Sequence, residues 1–126
     1  MKALNLFKDW PDVVEYHAGD LIFAEQDPAD ALYFILSGEV ELQLHGEPLG
    51  VESVGAMIGE TAMIGSQSRS GTATARNDVR LARLDVGQLR ELMRKDANFA
   101  LHVMSGLANR LRAVDAFIST HIGRKS

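Results

Sequence analysis

The hydrophobic period of the chain changes once, at Asp85, and that change dictates the architecture. Before it, "VVEYH", "LIFAE", "ALYFILSG" and "VELQLHG" are short runs rich in β-branched and aromatic residues, bounded by Gly, Asp or Pro, as half-buried strands are. Val40, Leu42 and Leu44 alternate with Glu41, Gln43 and His45, which gives one buried face, and "HGEP" follows as a hairpin turn. Thr72, Thr74, Val79 and Leu81 in "SGTATARNDVRLARLD" resume the strands. After Asp85 there is no Pro, and Val103, Leu107, Leu111, Val114 and Ile118 recur every three or four residues. This predicts a long amphipathic helix, preceded by a shorter one over 86–94, with Asp96 as N-cap at the join.

Many strands followed by helices predict an α+β, mainly β fold: an antiparallel, jelly-roll-like β-roll with helices packed beside it. We read residues 1–126 as one domain. It divides into an N-terminal helical segment (1–12), the roll (13–84) and C-terminal helices (85–122). Phe7 and Trp10 are expected to pin the N-terminal segment to the roll, and Phe99, Val103, Met104 and Leu107 to enter the core.

Composition removes several function classes. There is no Cys, which rules out disulfide scaffolds, thiolate metal sites and cysteine nucleophiles. A net charge of −4 leaves no cationic footprint for direct nucleic-acid binding. His17, His45, His102 and His121 are scattered, without the spacing of a metal site. Ser66, Ser68 and Ser70 lack a nucleophile-elbow context, so no catalytic residues and no cofactor are expected. Apolar runs are too short for a signal peptide or a spanning helix, and a cytoplasmic location without membrane contact is the expectation.

One stretch stands out, "IGETAMIGSQSRSGTATA", residues 58–75. In a chain that is 24% charged, it holds only Glu60 and Arg69. Gly59 allows close backbone approach, and residues 60–64 are long enough for about one helical turn whose first N–H groups attract an anion. Arg69 adds a planar fork of donors suited to phosphate, whereas Glu60 repels phosphate but accepts a hydrogen bond from a sugar hydroxyl. A plain exposed Glu60–Arg69 ion pair is the competing reading.

Three segments, "GDLIF", "DALYFILSGEVEL" and Gly59-Glu60 with Arg69, occur in the order and spacing of the cyclic nucleotide-binding domain family. The chain resembles that family over nearly its whole length. The family includes protein kinase regulatory subunits, cyclic nucleotide-gated channels and catabolite-activator-type regulators. The resemblance implies a phosphate cassette over 58–72. Glu60 would take the ribose 2′-hydroxyl, Arg69 the cyclic phosphate, and the N–H groups of Ala62 and Ser70 would complete a cradle that also includes Gly59, Thr61 and Gly71. Leu111, Val114 and Asp115 are the candidates to cap the base.

Some positions depart from the pattern. Gln26 stands where a turn Gly is usual, which would strain a left-handed backbone. Gly71 replaces an Ala and would leave the cassette looser. The implied ligand is cyclic AMP or cyclic GMP, with cyclic AMP favoured. Occupancy would be relayed through the terminal helix to a protein effector or a second subunit, the homodimer seam being Leu107, Leu111, Val114 and Ile118. The sequence shows no helix-turn-helix, and two readings stay open, a stand-alone module and a fragment of a larger chain. Two rivals stay open: a nucleotide-independent interaction module of the same fold, and a small cupin-like enzyme.

Overall fold

The computed structural model describes residues 2–60 and 68–121. The elements run α1 (Lys2–Asn5), β1 (Val13–Tyr16), β2 (Leu21–Phe23), β3 (Leu32–Ser37), β4 (Val40–Leu44), β5 (Glu47–Glu52), β6 (Met57–Ile58), β7 (Thr72–Ala75), β8 (Val79–Leu84), α2 (Val86–Lys95) and α3 (Ala97–His121). The strands form two four-stranded sheets, in the orders β1-β8-β3-β6 and β2-β7-β4-β5. Every pairing among the named strands is antiparallel. This is the β-roll expected from the sequence. The short cassette helix falls outside the described residues.

The continuous apolar run of β3 has a simple cause, since both of its faces are covered. Tyr33 and Ile35 face the other sheet, in a core with Val40, Ile58 and Leu81. Leu32 and Phe34 face the helices, in a second core with Phe7, Leu84, Leu89, Phe99 and Val103. Phe7 stacks on Phe34 at 4.4 Å between ring centroids, and the indole N–H of Trp10 donates to the Arg83 carbonyl at 2.8 Å. Those two contacts pin the N-terminal segment to the roll.

The β4–β5 hairpin turns on His45 and Gly46, with φ of 53° and 79°, the pair of positive values that a two-residue type I′ loop requires. At the helical join, the Asp96 carboxylate accepts from the Phe99 N–H at 3.1 Å and caps α3. Asp85 does the same for α2, in a reciprocal capping box with Gln88.

The apolar stripe read along α3 splits in the structure. Val103 and Phe117 are buried and Leu107 and Val114 half-buried, whereas Met104, Leu111 and Ile118 are exposed. Each step of four residues overshoots a full helical turn by about 40°, so Leu111, two such steps beyond Val103, has rotated off the inward face. The inward line is Val103, Leu107, Arg110, Val114 and Phe117, and it contains a charged residue. Among the described residues no helix is long and apolar enough to cross a membrane.

Candidate functional site

The site forms where β6 ends, where the chain enters β7, and where α3 crosses them. Gly59 follows β6 with φ +80°, a conformation open to glycine at no steric cost. It is also a point of close approach, because a Cβ there would lie 2.6 Å from Arg69 Nη1 and 3.2 Å from the Ala31 carbonyl oxygen.

Arg69 is 3% exposed. Its Nη1 donates to the Gly59 carbonyl at 3.2 Å, and its Nη2 lies 3.7 Å from an oxygen of the largely exposed Asp30. The guanidinium stands 4.3 Å above the Phe23 ring. Its Nε is buried and, among the described residues, has no hydrogen-bond partner. A buried cation with an unpaired donor is costly by itself, and an anion is the partner that would satisfy it. The backbone of Arg69 is clamped on both sides: its carbonyl accepts from Gln26 N–H at 3.0 Å, and its N–H donates to the Asp27 carbonyl at 2.7 Å. Gln26 makes this clamp with φ of 80°, the left-handed conformation that the missing turn glycine implied.

The exposed Glu60–Arg69 ion pair does not form. Glu60 instead accepts from Arg110 Nη1 at 2.6 Å, and the same guanidinium reaches Glu52 at 3.0 Å and the Met57 carbonyl at 3.1 Å. Arg110 thereby ties α3 to the end of β5, to β6 and to the cassette glutamate. Sequence reasoning missed Arg110, although a signal was available: it falls on the inward helical line, and an arginine there needs carboxylate partners.

A cavity of about 60 Å³ lies among Glu60, Arg69, Ser70, Gly71, Arg110 and Val114. Small-molecule sites are usually on the order of 300 Å³ or more. Arg110 and Val114 of α3 form one wall of this cavity. At Gly71 a Cβ would meet the Gln43 carbonyl oxygen of β4 at 2.7 Å, so an Ala there would require a shift of the backbone. The structure thus brings Gly59, Glu60, Arg69, Ser70, Gly71 and Val114 together, while Thr61 and Ala62 lie outside the described residues. Leu111 and Asp115 are exposed and do not line this cavity. Nor do the described histidines converge: His17 stands by Asp78, His45 by Glu25, and His102 on the Gly55 carbonyl.

Beyond the cradle, Asp30 also contacts Arg83, which reaches Asp12 as well. The Arg83 guanidinium is raised above its ordinary value, chiefly by a hydrogen bond with Tyr33.

Residues 13–96, from the first strand through α2, match the model of the cyclic nucleotide-binding domain. The chain belongs to the cyclic nucleotide-binding domain family. It is similar to the cAMP-dependent protein kinase regulatory subunit of Aspergillus niger, 33% identical over 67% of this chain and 23% of that protein. It is also similar to the catabolite activator protein of Thermus thermophilus, with a TM-score of 0.74 and 27% identity over 94% of this chain and 58% of that one. The EAL enzyme Bd1971 in its cAMP-bound form superimposes with a TM-score of 0.60 and 32% identity, over 86% of this chain and 31% of that one. The match thus spans less than a quarter of the kinase regulatory subunit. Glu60 and Arg69 both lie within the matched residues 13–96.

Proposed function

We propose that this domain binds a 3′,5′-cyclic purine nucleotide, with the cyclic phosphate on Arg69 and the ribose 2′-hydroxyl on Glu60. The observation that carries the reading is the Arg69 side chain: 3% exposed, with a buried Nε that has no partner among the described residues. A cyclic phosphate would supply both the opposite charge and the missing acceptor. Ser70 contributes its backbone N–H, and Val114 on α3 offers an apolar surface to the base. Cyclic AMP is favoured over cyclic GMP. The domain acts by binding, without a catalytic step and without a further cofactor.

The relay runs through Arg110. A ribose that reaches Glu60 must displace or share the Arg110 guanidinium, and the cavity must widen, so α3 has to shift. A ligand moves such an equilibrium only by binding one packing better than the other, and the Arg110–Glu60 contact gives the two packings different affinities. The exposed Leu101, Met104, Leu111 and Ile118 on the outer side of α3 suit the same helix of a second copy, which would carry the shift between subunits. A protein effector and a cytoplasmic setting complete the reading.

Calorimetric titration with cyclic AMP and cyclic GMP, on wild type and on Arg69→Ala, tests it. Saturable binding that Arg69→Ala weakens by about 2–5 kcal/mol is expected, the usual cost of removing one partner of a buried charge pair. Equal affinity in the variant would overturn the phosphate assignment.

A second reading, a nucleotide-independent interaction module, is favoured by one observation: the chain's own Arg110 already engages Glu60. It would show as no heat with either nucleotide, in wild type and in Arg110→Ala alike.

A further inference from the structure

A larger cavity, of about 370 Å³, lies on the other flank of α3, between that helix and the loop joining β5 to β6. Among the described residues, Arg110 alone lines both cavities. The volume falls in the range of small-molecule sites, which begins at roughly 300 Å³. The apolar part of its lining comes from Val54, Ala56, Met57, Val103 and Leu107. Gly106 leaves the helix side open, since a Cβ built on it would meet nothing within 4 Å.

The charges here are already matched. Arg110 pairs with Glu52 at 3.0 Å and with Glu60 at 2.6 Å, and His102 Nε2 is held by the Gly55 carbonyl at 2.5 Å. Arg112, the nearest further cation along the helix, bonds the Asn109 side-chain carbonyl and does not line the cavity. What remains for a ligand is neutral: the hydroxyls of Ser53 and Ser105 and the Asn109 amide N–H groups, around an apolar patch. A charged ligand finds no free counter-charge in this lining, because Arg110 already has two carboxylate partners, and gains nothing there beyond what water gives it.

We infer that this cavity is a second binding site, separate from the nucleotide cradle, for an uncharged, flat heteroaromatic molecule that carries an amide-like hydrogen-bonding edge. The ring packs against Met57, Val103 and Leu107 in the space left by Gly106, and the polar edge faces Ser53, Ser105 and Asn109. Neither Arg69 nor Glu60 lines this cavity, and the preference for an uncharged ligand belongs to the nucleotide-free protein, in which Arg110 is paired with Glu60 and Glu52.

Three probes with one ring system and different charge test this: indole-3-acetamide (neutral), indole-3-acetate (anionic) and tryptamine (cationic), each titrated while backbone amide NMR shifts are followed. The neutral probe is expected to give saturable shifts in residues 53–57 and 102–109, with a dissociation constant on the order of a millimolar for so small a ligand. The two charged probes should bind about tenfold or more weakly. Gly106→Leu fills the cavity and should abolish the shifts, and Gly106→Ala should reduce them. Both replacements favour the helix over glycine, so melting temperature should hold or rise. Shifts confined to other residues, equal affinity for the three probes, or a titration unchanged in Gly106→Leu would each overturn the inference. So would the absence of saturable shifts with the neutral probe.

Discussion

Arg110 Nη1 lies 2.6 Å from Glu60 Oε1, so the carboxylate proposed for the ribose is held by a side chain of the helix proposed to report on it. This contact joins Glu60 directly to α3. Arg110 is also within reach of Glu52, and with two carboxylates on one guanidinium it connects α3 to the roll, as His102 does through the Gly55 carbonyl.

Replacing Arg110 with Ala should loosen α3 and leave two carboxylates without their cation, at a cost of about 2–4 kcal/mol for partly buried pairs. Amide hydrogen exchange in residues 105–120 should quicken in the nucleotide-free protein. The protection gained on adding cyclic AMP should shrink relative to wild type. Unchanged exchange in that segment would remove Arg110 from the relay.

Gly59→Ala should impair binding through Arg69. The new Cβ would lie 2.6 Å from Arg69 Nη1, on a backbone with φ of +80° that disfavours any L side chain. Backbone strain alone should lower stability by about 1–2 kcal/mol. Displacement of the guanidinium should lower cyclic nucleotide affinity further, by about tenfold or more. Thermal denaturation and calorimetry on the same preparation separate the two effects.

Gln26→Gly should do the opposite. The left-handed conformation at this position, with φ of 80°, is relieved by glycine, and a gain of about 1 kcal/mol is expected in urea unfolding. The backbone clamp on Arg69 is unchanged by the substitution, so affinity should be preserved or improved. A loss of stability would show that the Gln26 side chain contributes more than its backbone strain costs.

The outer face of α3 predicts where self-association would be broken. Leu111→Asp and Ile118→Asp place charges on side chains that are 70% and 44% exposed, and should shift a dimer to monomer in sedimentation velocity without weakening cyclic nucleotide binding. Val114→Asp should act differently, because Val114 lines the cradle with Glu60 and Arg69. There a new carboxylate should weaken nucleotide binding. A wild type that sediments as a monomer at all concentrations, with and without nucleotide, would remove the dimer.

The sequence by itself determined the β-roll and the helical join, and it singled out Gly59, Glu60 and Arg69. Alternation at Val40, Leu42 and Leu44, the single change of period at Asp85, and the isolated Gly59, Glu60 and Arg69 in an uncharged stretch are local patterns, and local patterns are set by strand pleat, helix pitch and backbone sterics. Tertiary structure alone decided the partners of those residues. Glu60 meets Arg110 fifty positions away, Arg69 meets Asp30 and the Phe23 ring, and a methyl at Gly71 is excluded by the Gln43 carbonyl. Steps of four along α3 look collinear when read from the sequence, yet they carry Leu111 off the inward face and leave Arg110 on it. Ion pairs and close contacts depend on which surfaces meet in space, and hydrophobic periodicity does not record where a charged side chain is turned inward to find its partner.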